Sequence, residues 1–314
     1  MTMREKRIPV ALASCLDYQA VHLADAVDRV VSSAGFRLSR GSVVLLKPNL
    51  VAAGSTNHLA CTSAHFVAAV AQWFLDHGAK VRVGDSPAFG SARMVMKATG
   101  MTEALSHLDV KVVNFSRGIK TALPCGFSVP IAAEALDCDL LINLPKVKAH
   151  SQLYVSLAVK NYFGVVCGWR KALHHAVHGD IGNRFESLLA DLPELFPGSF
   201  TIVDGITAMH KAGPMRGEPY PLGIVGATFD PVALDTALLE IIGADPERSI
   251  LMQEHIRRGL PGTDLENITY PLRRPPELTV DDFQLPDTLK PVTFHPLRMA
   301  VSGCRRIVAG FNDR

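Results

Sequence analysis

The first half of this sequence alternates short apolar runs with amphipathic helical stretches, a rhythm that β-α-β units bury efficiently. Residues 10–13 and 43–46 read as strands, and residues 18–34 between them as a helix carrying Val27, Val30 and Val31 on one side. The pattern then repeats. Thr62 or Ser63 stands where a helix cap belongs, Phe66, Val67, Val70, Trp73 and Phe74 follow at helical spacing, and Gly78 closes the helix before a strand at 81–83. Further strands are expected at 110–114, 140–144, 201–203 and 222–227, with helices near 91–107, 184–195 and 232–242. This alternation predicts an α/β fold with a mostly parallel, doubly wound sheet, as one body or as two lobes around a central cleft. Residues 1–260 make up that unit. From 261 to 296 prolines are frequent and periodicity fades, so residues 261–314 are expected as a Pro-rich extension packed on the main body.

Composition narrows the class. With 48% hydrophobic and 20% charged residues, and every apolar run shorter than the ~20 residues a membrane span needs, the 314 residues read as a soluble globular chain. Lys plus Arg is 32 against 30 for Asp plus Glu, and a formal +2 is too balanced for a dedicated nucleic-acid binder. Any cationic site is therefore local. The six cysteines, at 15, 61, 125, 138, 167 and 304, never form a C-x-x-C pair, so no zinc ribbon or ferredoxin-type cluster is expected from local spacing. Arg4, Lys6 and Arg7 precede an apolar run too short for a secretory signal, and the expected location is the cytoplasm.

Ligands of an open parallel sheet bind beyond the carboxyl ends of its strands. At those points the sequence places Lys47-Pro48-Asn49, Gly84-Asp85-Ser86-Pro87, Pro145-Lys146-Val147-Lys148-Ala149-His150 and Asp204-Gly205. Lys146, Lys148 and His150 alternate, so an extended segment directs all three to one face; two ammonium groups suit an anion, and an imidazole suits proton transfer. A solvated basic loop is the plainer alternative. Lys160 lies in apolar surroundings with Tyr154, Leu157 and Phe163, where desolvation makes an amine a usable base; a snorkelling surface lysine is the alternative. Asp204 either orients a lysine or histidine or caps a turn after its strand. His174 and His178 share a helical face at i, i+4, a metal-chelating spacing, but the glutamate of H-E-x-x-H is absent. A glycine-bracketed lid carrying His178 toward the lysines, with Asp180 close by, is the preferred reading. Asp230-Pro231 starts a helix, and Asp235 within it needs a cationic partner if buried. The sequence has no G-x-G-x-x-G, no G-x-x-x-x-G-K-[ST] and no G-x-S-x-G, which removes most support for routine dinucleotide, ATP and serine-hydrolase readings.

Lys47-Pro-Asn-Leu50, Thr62, Gly84-Asp-Ser86, Leu144 to His150, Lys160-Asn161 with Gly164, Val203-Asp-Gly205, Gly213-Pro214 with Gly217, and Asp230 to Asp235 together resemble the family named domain of unknown function 362 (DUF362). The resemblance runs from about residue 43 to 243. Many members of that family look like iron–sulfur proteins through a fused ferredoxin-like segment. That segment is missing from this sequence, so the resemblance does not imply a cluster here. At the level of the fold the chain is also similar to the lactate racemase type of enzyme, where lysines and histidines in a cleft serve a nickel-pincer cofactor and a 2-hydroxy acid; no motif carries residues across.

The resulting expectation is an enzyme that moves protons on a small anionic substrate, as an isomerase, racemase or lyase does. His150, Lys160, His178 and Asp204 are the expected catalytic residues. Lys47, Asn49, Asp85, Ser86, Lys146, Lys148 and Asn161 are the expected substrate-binding residues. No metal is assigned, with His174 and His178 the candidates should one bind, and no cofactor is named. The alternatives are a non-catalytic metal- or cofactor-binding protein, or a redox subunit that docks a separate ferredoxin.

Overall fold

The computed structural model of the chain describes residues 7–53, 55–88, 90–167, 184–213 and 217–290. Its strands are β1 (Ile8–Pro9), β2 (Ala11–Ser14), β3 (Val43–Pro48), β4 (Lys80–Val83) and β5 (Val110–Val112). A hairpin of β6 (Gly118–Ala122) and β7 (Ser128–Ala132) follows, then β8 (Leu140–Leu144), β9 (Lys146–His150) and β10 (Tyr154–Ser156). The last are β11 (Phe200–His210), β12 (Glu218–Tyr220), β13 (Ile224–Thr228) and β14 (Ile268–Thr269).

The fold is α/β around a mostly parallel sheet. β3 lies between β4 and β8, and β5 lies outside β4, all parallel. Val44, Leu45 and Leu46 are fully buried because helices cover both faces of the sheet, which is why the run reads as continuously apolar rather than alternating. β8 passes through Pro145 into β9, and both lie parallel against the long β11. The other edge of β11 takes β13 antiparallel, and β2 closes that side against β13. The helices Ala20–Ser33 and Ala64–Asp76 pack on one face through the apolar residues their periodicity singled out, including Val27, Val30, Phe66 and Phe74. Trp73 is held between them, its indole N–H donating to Asp28 at 2.9 Å. Among the described residues, no helix is long and apolar enough to cross a membrane.

Three local expectations are corrected. The helix expected over 91–107 is two short helices, Ala92–Ala98 and Met101–Ala104, broken where Gly100 takes a φ of 75°. Asp204-Gly205 does not end a strand: β11 runs on to His210, and a Cβ on Gly205 would lie 2.6 Å from Ile224 Cγ1. The glycine thus admits the neighbouring strand and makes no turn. Asp235 is buried without a cation among the described residues. Its carboxyl accepts the backbone N–H groups of Ala158 (2.7 Å) and Val159 (3.2 Å), the start of the short helix Ala158–Asn161. Burial pushes its pKa up to about 8 while the two amides pull against it.

The proline-rich stretch forms 3-10 turns and the strand β14, which pairs in parallel with β1. Ile268 and Phe283 are buried against the main body. The segment is fastened across the end of the sheet by hydrogen bonds from Lys211 N to Gln284 O and from Lys290 N to Ser151 O, both 2.7 Å.

Replacing Asp235 by Ala leaves two buried amides unsatisfied. The expected loss is about 2–4 kcal/mol of unfolding free energy, read by urea denaturation, with Asp235→Asn much closer to the parent; a neutral Asp235→Ala would show that water satisfies those amides instead.

Candidate functional site

The carboxyl edge of the sheet gathers its lysines because three consecutive connections turn inward there. Lys47, at the end of β3, is fully buried and its Nζ lies 2.8 Å from Asp85 Oδ1, just after β4. Asp85 Oδ2 accepts the N–H of Leu50 at 2.9 Å. Oδ1 has the ion-pair contact but no hydrogen bond of proper geometry, so a lone pair of this buried carboxylate stays unsatisfied among the described residues. Gly164 passes directly over the pair. A Cβ there would overlap both Asp85 Oδ1 and Lys47 Nζ, and the Gly164 carbonyl accepts the N–H of Ser86 at 3.1 Å.

The segment after Pro145 is the strand β9, so Lys146, Lys148 and His150 do project to one side, and all are buried. Lys146 Nζ donates to Asp204 Oδ2 at 2.8 Å and to the Tyr18 hydroxyl at 2.9 Å. Asp204 is saturated: Oδ1 accepts from Tyr18 Oη at 2.8 Å, and Oδ2 also accepts the N–H of Ser63 at 2.9 Å. Ser63 thus begins its helix without a side-chain cap, and Thr62, the other expected cap, sends its hydroxyl to the carbonyl of Leu144 at 2.7 Å. Asn49 N donates to the same Thr62 oxygen at 2.8 Å. Lys148 Nζ donates to the carbonyl of Ala60 at 3.0 Å, which Asn49 Nδ2 also reaches at 2.5 Å.

His150 Nδ1 accepts the N–H groups of both Gln152 and Leu153 at 3.2 Å. Two donors on one ring nitrogen require a lone pair there, so the proton sits on Nε2 and the imidazole is neutral. The tight turn they form brings Tyr154 to a φ of 69°, opposite His150 in the β9–β10 pair. Lys160 and Asn161 come from the helix that Asp235 caps. Asn161 Nδ2 donates to Asn143 Oδ1 at 2.8 Å and to the carbonyl of Lys47 at 3.3 Å, joining that helix to β8 and β3. Lys160 is partly exposed and makes no hydrogen bond or ion pair among the described residues.

A profile of the family described as domain of unknown function (DUF362) matches residues 44–240. The chain belongs to the DUF362 family. A thylakoid-associated protein of Synechocystis is 40% identical over 255 residues, which is 81% of this chain and 79% of that one. Among solved structures, the lactate racemase apoprotein of Thermoanaerobacterium thermosaccharolyticum superposes with a TM-score of 0.48 at 13% identity, covering 77% of this chain; this chain spans 59% of that protein.

Of the expected residues, Lys47, Asn49, Asp85, Ser86, Lys146, Lys148, Lys160 and Asn161 lie around the ends of β3, β4 and β8, Asp204 reaches Lys146 from within β11, and His150 ends β9 against the turn to β10. His174, His178 and Asp180 lie outside the described residues. Sequence reasoning missed Tyr18, Cys61 and the backbone groups of Ala60 and Ser63. Tyr18 is 186 residues from Asp204, and nothing in the local pattern around it marks a polar role. Cys61 is buried beside Lys148, and its thiol is pushed up by burial. Among the described residues no group of three or more His, Cys, Asp and Glu could hold a metal ion.

The electrostatics separate the lysines into two kinds. Burial works against the charge on Lys146, but Asp204 and Tyr18 together outweigh it and hold the ammonium above its ordinary value. Burial draws Lys47 down against the opposing pull of Asp85. Lys148 is brought to about 7 by burial and then by the charge of Lys160, and Lys160 to about 8 by burial and then by Lys47.

Two substitutions test this geometry. Gly164→Ala forces Asp85 and Lys47 apart and should cost about 3–5 kcal/mol, the range for breaking a buried ion pair; an unchanged denaturation midpoint would show that the overlying segment moves freely. Lys148→Met removes a disfavoured buried cation while Ala60 keeps Asn49 as its donor. Its Tm should rise by a few degrees, about 2–4 °C for each ~1 kcal/mol gained. The unfolded chain binds more protons at Lys148 than the folded chain between about 7 and 10.5, so parent stability rises with pH across that window and the variant loses this dependence. A lower Tm at pH 7 would mean that Lys148 carries a stabilising partner.

Proposed function

We propose that this DUF362 protein is an enzyme that binds a small anionic substrate at the lysine cluster and transfers a proton at a carbon next to the anionic group. The class is that of an isomerase, racemase or lyase. The observation that carries this reading is Lys148, buried with a backbone carbonyl as its hydrogen-bond partner, beside Lys160, both without a counter-ion among the described residues. Burial disfavours charge on both, and two ammonium groups side by side repel, so one amine stands free more readily while its neighbour keeps the proton. A pair so divided supplies a base and an anion-binding cation side by side.

In this reading Lys160, the lysine with an open surface, receives the substrate's carboxylate or comparable oxyanion. Lys148 Nζ takes the proton from the adjacent carbon and becomes ammonium. The developing charge spreads onto oxygen, held by the Lys160 ammonium; His150, whose Nδ1 accepts two turn amides, braces the end of β9 in place of the proton transfer expected from the sequence. Lys47 and Asp85 fix the floor, with Asn49, Ser86 and Asn161 holding its edges. Lys146 and Asp204 act on β9 as a positioning pair, because Asp204 has no lone pair left for the substrate. The substrate is a dissolved one met in the cytoplasm; the thylakoid association of the Synechocystis relative belongs to that protein.

The test follows the proton. A panel of 2-hydroxy, 2-oxo and 2-amino carboxylates is incubated with the protein in deuterated water, and loss of the α-proton signal is followed by NMR. Exchange should rise with pH through about 7 as Lys148 loses its proton and fall above about 8 as Lys160 loses its own. Lys148→Ala should reduce it by roughly 10²-fold or more. Lys160→Met should move the acidic limb to higher pH, since removing a neighbouring cation favours the charged form of Lys148. No exchange with any member of the panel, or exchange indifferent to Lys148, would count against the proposal.

A further inference from the structure

Away from the lysines, the loop between β6 and β7 faces the helices Arg184–Asp191 and Ile250–Arg257 across a cavity of about 580 Å³. None of its lining residues belongs to the lysine cluster. Pro124, Cys125 and Phe127 form one wall, and Arg184, Arg257 and Arg258 form the other. The base is rigidly tied. Asp191, fully buried, accepts Arg258 Nη1 at 2.6 Å on one oxygen and the N–H of Cys125 at 2.7 Å on the other, which locks the loop to the helix. Glu254, also buried, accepts from Arg257 Nε, Arg257 Nη2, Arg258 Nε and the Ser187 hydroxyl. Although burial opposes its charge, these donors hold Glu254 down to about 2, so the network stays ionised in neutral water.

Arg258 is shared by Asp191, Glu254 and, at 4.0 Å, Glu194, and Arg257 is held by Glu254, so the guanidinium without a carboxylate among the described residues is that of Arg184. Two of the arginines keep donors unused among the described residues. Arg257 is 59% exposed and its Nη1 has no hydrogen bond among the described residues. Arg184 is exposed and makes no hydrogen bond or ion pair among the described residues. The open fork of Arg184 and the remaining Nη1 of Arg257 together present more N–H groups than the two oxygens of a carboxylate can take, whereas a phosphoryl group offers three acceptors and up to two charges. The volume falls in the range of small-molecule sites, and Phe127 and Pro124 supply an apolar wall.

We propose that this cavity is a second ligand site, which takes a small phosphate monoester carrying an apolar ring or chain. Arg184 and Arg257 clamp the phosphoryl oxygens, Arg258 holds the floor through Asp191 and Glu254, and the apolar part lies against Phe127 and Pro124. The site stands independently of the proton-transfer reading, because the two share no residue.

Calorimetric titration of the full chain with phenyl phosphate tests it. Binding is expected, with benzoate and inorganic phosphate each markedly weaker. Arg184→Ala and Arg257→Ala should each weaken phenyl phosphate by roughly tenfold or more. Both side chains are at the surface, so their circular dichroism should match the parent. Lys148→Ala and Lys160→Ala should leave the affinity unchanged. Absence of heat at millimolar phenyl phosphate, equal binding of benzoate or inorganic phosphate, indifference to both arginine substitutions, or loss on substituting the lysines would each overturn the proposal.

Discussion

Four lysines and two carboxylates share the carboxyl edge of one sheet, and that imbalance governs the region. Withdrawing an ammonium from water costs several kcal/mol unless a partner offsets it. Asp204 answers for Lys146 and Asp85 for Lys47, each at 2.8 Å. Lys148 and Lys160 have no such partner among the described residues. A desolvated amine in that position either gives up its proton or waits for an anion, and burial lowers the proton affinity of Lys148 and, to a smaller extent, of the partly exposed Lys160. A chain selected for stability alone would place apolar side chains there.

The imbalance persists because neighbouring backbone groups hold the surrounding elements at fixed positions. Asp235 spends its carboxyl on two amides so that the helix with Lys160 and Asn161 starts at one place. Asn161 and Asn143 link that helix to the strand ends, and Thr62 ties the connection after β3 to the carbonyl of Leu144. Gly164 brings the backbone over the Lys47–Asp85 pair at a distance only a missing Cβ permits. These contacts join segments far apart in the chain, so displacing one strand shifts several of the site's side chains together.

Much of the architecture was legible in order and type. Buried parallel strands produce unbroken apolar runs, and Val43 to Leu46 or Leu140 to Leu144 need only be counted. Boundaries failed where an apparent signal had a tertiary cause. Asp204-Gly205 looks like a turn because glycine usually marks one, yet Gly205 is small to admit Ile224. Ser63 is the cap by position, but its side chain makes no capping bond, and what it contributes instead is its N–H, given to a carboxylate 141 residues away. The site followed the same division. Lys146, Lys148 and His150 were visible through strand alternation, and Lys47 and Asp85 through their place after strands.

Residue type and spacing by themselves determined which groups would reach the sheet edge, because alternation and the end of a strand are local properties of the backbone. The tertiary structure decided what each group would be. It made Lys146 a paired ammonium by bringing Asp204 and Tyr18 to it, and made Lys148 a weak one by burying it and then by placing Lys160 near it, with no carboxylate in ion-pair reach among the described residues. It fixed the proton of His150 on Nε2 by turning two amides onto Nδ1, and placed Asp235 under a helix instead of against a cation. Charge state depends on burial and on neighbours distant in sequence, and only the folded chain brings those neighbours within range.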